Sequence, residues 1–196
     1  ETAHQLSFHR LVQDVTVQQP LWLNEGLATS FEAAEGARSS GPWEPFEPRE
    51  RRLARLVAED RLLPLGELVG LATLGPADAE RIEQVYGQCY GLFTWLATTR
   101  PATLRAFLDA MHAEPPGAVE SSRLIELFET HVGRLAAIES AFGAHLRRRV
   151  AARRDEGEPW PGTDGNRVMP PSAVADAGTE RTRAGPAGPA PGRSRT

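Results

Sequence analysis

Apolar residues along this chain recur at three- and four-residue spacings, the period that gathers side chains on one side of an α-helix. The longest case is DAERIEQVYGQCYGLFTWLATTR, 78–100, where Ile82, Val85, Tyr86, Cys89, Leu92, Phe93 and Leu96 fall on that spacing. Asp78 offers an N-cap carboxylate ahead of it, and Pro101 marks its stop. TLRAFLDAMHA (103–113) predicts a helix from Thr103, and SSRLIELFETHV (121–132) predicts one from a Ser pair. RLAAIESAFGAHLRRRVAARR (134–154) carries Leu135, Ile138, Phe142 and Leu146 on one stripe and Arg on the other side. LVAEDRLLPL is broken at Pro64. Upstream, QLSFHRLVQ reads as the end of a first helix. After Pro20 a second helix follows, with Asn24 or the residues just before it as cap and Trp22, Leu23, Leu27 and Phe31 as its apolar anchor. GARSSGPWEPFEP (36–48) reads as a loop, either a surface connection or one overhanging a cleft. No alternating run is long enough to predict a strand. The expected fold class is mainly α over residues 1–156.

The pattern stops near residue 156. From 157 to 196, 14 of 40 residues are Gly or Pro, and Leu, Ile and Phe are absent. Such a segment buries too little apolar area to offset backbone entropy of ~1–2 kcal/mol per residue. A disordered C-terminal tail is expected there, ending in AGPAGPAPGRSRT.

Composition narrows the function classes. The net charge is −4, so no electrostatic footprint for nucleic acid arises. Every basic residue is Arg. The runs RERRLAR (49–55) and LRRRVAARR (146–154) have acids nearby and read as solvated faces. No apolar run reaches the ~18 residues of a membrane span. The single cysteine, Cys89, lies in an apolar stretch and reads as a packing residue rather than a nucleophile. No Gly-rich phosphate loop, G-x-S-x-G elbow or CxxC pair occurs.

Candidate chemistry concentrates at the start. The chain opens ETAHQLSFH, with Glu1 three positions before His4. In a zinc-protease helix, two His one turn apart converge on one metal, with nitrogens ~2.0–2.1 Å from it. The Glu after the first His flanks the activated water. E-x-x-H alone is a weak signal; the block QQPLWLNEGLATSFE, 18–32, adds to it. Glu25 stands 21 positions after His4, and Gly26 beside it keeps the backbone slim where two helices approach.

E-T-A-H at 1–4 followed by P-L-W-L-N-E-G-L-A at 20–28 resembles the gluzincin metallopeptidases, closest to the peptidase-MA-like group and related uncharacterised bacterial domains. Y-G-Q-C-Y-G-L-F-T-W-L (86–96) and FETHVGRLAAIESAF (128–142) are similar to later helices of those domains, so the resemblance covers roughly residues 1–150. It implies zinc-dependent hydrolysis of a peptide or protein substrate. Glu1 would be the general base, and His4 and Glu25 zinc ligands, with a first His ligand expected immediately before Glu1. Such a chain would be cut within its first helix, its upstream strand layer missing, and would bind zinc poorly and be inactive as it stands.

Other readings stay beside this one. A helical binding or scaffold module that keeps the gluzincin fold without chemistry would read much the same. His4 and Glu25 in a shared cleft favour the enzyme; His4 in the core with Glu25 in solvent favours the scaffold. Tyr86 and Tyr90 lie one turn apart; Tyr86 is either an oxyanion-stabilising donor or a core tyrosine. Glu32 is either a surface carboxylate or the partner of a zinc-bound His. His9, His112, His131 and His145 read as structural or exposed.

Overall fold

The computed structural model describes residues 17–32 and 41–155. Glu1, His4, His9, the first helix and the tail from 157 lie outside the described residues. Those described fall within one compact unit, and they are helical, as the periodicity predicts. Seven α-helices follow one another among them: α1 (Leu21–Ser30), α2 (Glu47–Ala58), α3 (Leu65–Val69), α4 (Ala79–Thr99), α5 (Pro101–His112), α6 (Ser121–His131) and α7 (Leu135–Asp155). A 3-10 turn at Gly41–Trp43 precedes α2 inside the predicted loop. The extended backbone among them amounts to one parallel bridge, Val17 to Gly117.

The hub is α4. Asp78 caps it, accepting from Arg81 N–H at 2.8 Å, as its position predicts. From Val85 to Ala97 every residue except Tyr86 is buried, so this helix has contacts nearly all round. Its polar members are satisfied. The Gln88 amide matches the Leu63 backbone in both directions, at 2.7 and 2.8 Å. Ile82, expected on the apolar stripe, sits before the buried stretch and is exposed.

Against one side of α4 lies α1, whose Trp22 is fully buried. Its ring meets Phe107 of α5 at 5.3 Å and Phe128 of α6 edge-on at 5.9 Å, and these two rings meet each other at 6.1 Å. Large buried aromatics are worth roughly 3–5 kcal/mol each against alanine, so this trio fixes where α1 sits. On the other side α2 and α7 pack on α4 and on each other. The stripe Ile138, Phe142 and Leu146 is buried as predicted, and Phe142 meets Trp95 at 5.4 Å.

Local starts differ from expectation in three places. Pro101 ends α4 but also opens α5, because proline's fixed φ suits the first helical position and its missing N–H costs nothing there. The N-cap of α6 is Glu120, one residue before the Ser pair. Asn24 lies inside α1, whose N-cap is Pro20 without a side-chain cap.

Candidate functional site

Pro20 holds extended backbone (φ −62°, ψ 146°) and its carbonyl accepts from Leu23 and Asn24 N–H at 3.1 and 3.2 Å, starting α1. The Leu21 N–H is tied to the Leu71 carbonyl at 2.8 Å. Leu21, Trp22, Leu23, Gly26, Thr29 and Ser30 face inward, and Glu25 is half-buried at the border of that face.

Gly26 sets the distance to α4. A Cβ built there would lie 2.5 Å from the Cys89 carbonyl oxygen and 2.4 Å from Phe93 Cβ. Only glycine permits this approach. The close neighbour at Gly26 is α4; the first helix, which the sequence reading set against it, lies outside the described residues. Thr29 Oγ1 donates to the Glu25 carbonyl and Ser30 Oγ to the Gly26 carbonyl, each at 2.5 Å. Hydroxyls turned back onto their own helix need no other partner.

The charge of Glu25 is felt at Tyr86 and Cys89 on α4. Tyr86 is half-buried, and its pKa is raised by burial, then by the negative charge of Glu25 and by the Cys89 thiol, with Arg49 opposing. The phenol is therefore neutral at physiological pH and available as a hydrogen-bond donor. Cys89 is fully buried, and burial followed by the charge of Glu25 pushes its thiol pKa up. A thiol held protonated in the core is a packing group, as the apolar stretch predicts. Tyr90, one turn from Tyr86, is a core tyrosine whose hydroxyl donates to Glu50 at 2.6 Å.

Arg49 completes the surroundings. Its guanidinium donates to both Glu32 oxygens, at 2.6 and 2.5 Å, joining the end of α1 to the start of α2. Both oxygens of Glu32 are engaged by Arg49 in an ion pair and its side chain is 37% exposed, in line with the surface reading; His4 lies outside the described residues. Phe31, expected among the anchors of α1, is instead 45% exposed, because the helix ends one residue before it.

The run 49–55 is not a uniformly solvated face. Glu50 is buried, held by Tyr90 and by Arg149 of α7 at 2.7 Å. Sequence periodicity carried that signal: Glu50 shares the three- and four-residue spacing of Leu53, Ala54 and Val57. Arg49 had none, since its partner lies 17 residues upstream, just past the end of α1.

Of the residues singled out from sequence, the fold sets Glu25 within electrostatic reach of Tyr86; Glu1 and His4 lie outside the described residues. Among the described residues, no group of three or more His, Cys, Asp or Glu is placed to hold a metal ion. No family model, curated protein or solved structure matches this chain.

Proposed function

We propose that this chain is the helical part of a gluzincin-type zinc metallopeptidase that hydrolyses peptide bonds. The observation that carries the reading is Glu25, half-buried on α1 and within electrostatic reach of the neutral Tyr86 phenol on α4. Glu25, His4 and a His directly before Glu1 would hold the zinc. When bound, zinc supplies Lewis-acid polarisation of the scissile carbonyl and activation of water. The chain's own residues do the rest. Glu1 takes the proton from the attacking water and returns it to the leaving amine. Tyr86, neutral at working pH, donates a hydrogen bond to the carbonyl oxygen as negative charge grows on it. Gly26 fixes the spacing between Glu25 and Tyr86.

The test is to express the protein extended upstream through its natural preceding residues and to measure zinc content and hydrolysis of a quenched-fluorescent peptide library. The expected result is one zinc per chain and cleavage. Glu25→Gln should lose most of the zinc. Tyr86→Phe should retain zinc and lower kcat by about 10²-fold, the scale of one oxyanion donor. An upstream residue other than His, or an extended protein free of zinc, ends the peptidase reading and leaves a helical scaffold.

A further inference from the structure

Two buried glutamines in this fold differ in one respect. Gln88 and Gln19 are 2% and 3% exposed. Gln88 spends both ends of its amide on the Leu63 backbone. Among the described residues, neither the oxygen nor the nitrogen of the Gln19 amide has a partner. Three residues on, the Nε1 of the fully buried Trp22 also has no partner among the described residues.

The backbone around Gln19 has its own hydrogen bonds. Gln18 N–H reaches the Gly117 carbonyl at 2.9 Å, and Leu21 N–H reaches the Leu71 carbonyl. The root of α1 is thus a joint of three chain segments. An enclosed amide with no partner weighs against folding far more than a satisfied one, and native interiors answer with internal water, about one per ~27 residues.

We infer that the root of α1 is a hydration site, with water hydrogen-bonded to both ends of the Gln19 amide and to the Trp22 indole N–H. The ligand class follows from the groups. An acceptor and several donors, all enclosed, call for a small neutral molecule that both donates and accepts. The inference is independent of whether Glu25 binds zinc.

The experiment uses the full chain, isotope-labelled, and reads water-to-protein cross-peaks at the Gln19 side-chain NH₂ and the Trp22 Nε1–H. Cross-peaks to water at both, with Gln19→Met lowering Tm by about 2–4 °C, are the expected result. Methionine matches the shape of the amide but cannot hold the water. Cross-peaks only to other protein protons would show a direct partner and overturn the inference. A Gln19→Met protein with a raised Tm would show a dry, unsatisfied amide and overturn it equally.

Discussion

Two contacts hold the helices around α4, and they are built from opposite materials. The α1–α4 contact is close and backbone-limited: Gly26 sits on the Cys89 carbonyl, and the apolar anchors Trp22 and Leu23 are fully buried. The α2–α7 seam is ionic. Arg149 reaches the buried Glu50, and Arg153 reaches Glu47, which Arg51 of its own helix also holds. Leu53, Ala54, Val57, Leu146 and Val150 line a groove beside these pairs. The first contact sets a distance, since atoms in close packing tolerate little displacement. The second selects a register, because each guanidinium must meet its own carboxylate. A candidate site whose chemistry depends on the separation of Glu25 and Tyr86 lies on the first kind of contact.

Breaking the seam at its buried point has the largest expected effect. Glu50 has a side chain 4% exposed and holds both Tyr90 and Arg149. Glu50→Leu strands a buried phenol and a partly buried guanidinium, and about 3 kcal/mol of stability should be lost in urea denaturation. Adding Tyr90→Phe and Arg149→Met should recover most of that, because the groups left without partners are then gone. A triple variant as unstable as the single one would mean that Glu50 acts through packing alone.

The close contact is tested by two glycines. In an ordinary helix interior, Gly→Ala gains roughly 0.5–1 kcal/mol. At Gly143 of α7 the new methyl would meet only the flexible end of Arg147, at 3.3 Å, and the gain should appear. At Gly26 it would meet the α4 backbone, which cannot rotate away, and a loss of about 2 kcal/mol is expected. The same substitution with opposite signs, read from denaturation midpoints, sharpens the contrast. Equal signs would mean that α1 shifts freely on α4.

Sequence carried the helices because their apolar period is local information. It carried Gly26 because a glycine next to a carboxylate, inside a helix, has few other uses. It also held Glu50, a carboxylate on an apolar stripe, although the surrounding arginines drew attention to the solvated side. Phe31 was misread because helical spacing continues in the sequence after the helix itself has ended. The Arg49–Glu32 and Arg153–Glu47 pairs were invisible: partners 17 and 106 residues apart are brought together only by tertiary packing. For the candidate site, spacing placed two tyrosines one turn apart and singled out Tyr86, but its electrostatic link to Glu25 on α1 exists only in the folded protein.

The outer pair of the seam should show the smallest effect and a distinct pH signature. Burial acts to raise the Glu47 pKa, but hydrogen bonds and charge from Arg153 and Arg51 outweigh it, and the net shift is downward from 4.5. A carboxylate with a depressed folded pKa contributes stability that is fully present above its unfolded pKa. That contribution disappears as pH falls through the lower folded value. Arg153→Gln should therefore cost little at neutral pH, less than about 1 kcal/mol, because the Glu47 side chain is 37% exposed and solvent screens the pair. The difference between wild type and Arg153→Gln should then shrink toward zero as pH drops below about 4.5. Raising the salt to about 1 M should shrink it as well, since the Debye length falls to ~3 Å. The Glu50 effect, set by buried groups, should persist at that salt. If the two pairs lose their effects together, the seam is one solvated charge network and the distinction between its buried and outer halves is wrong.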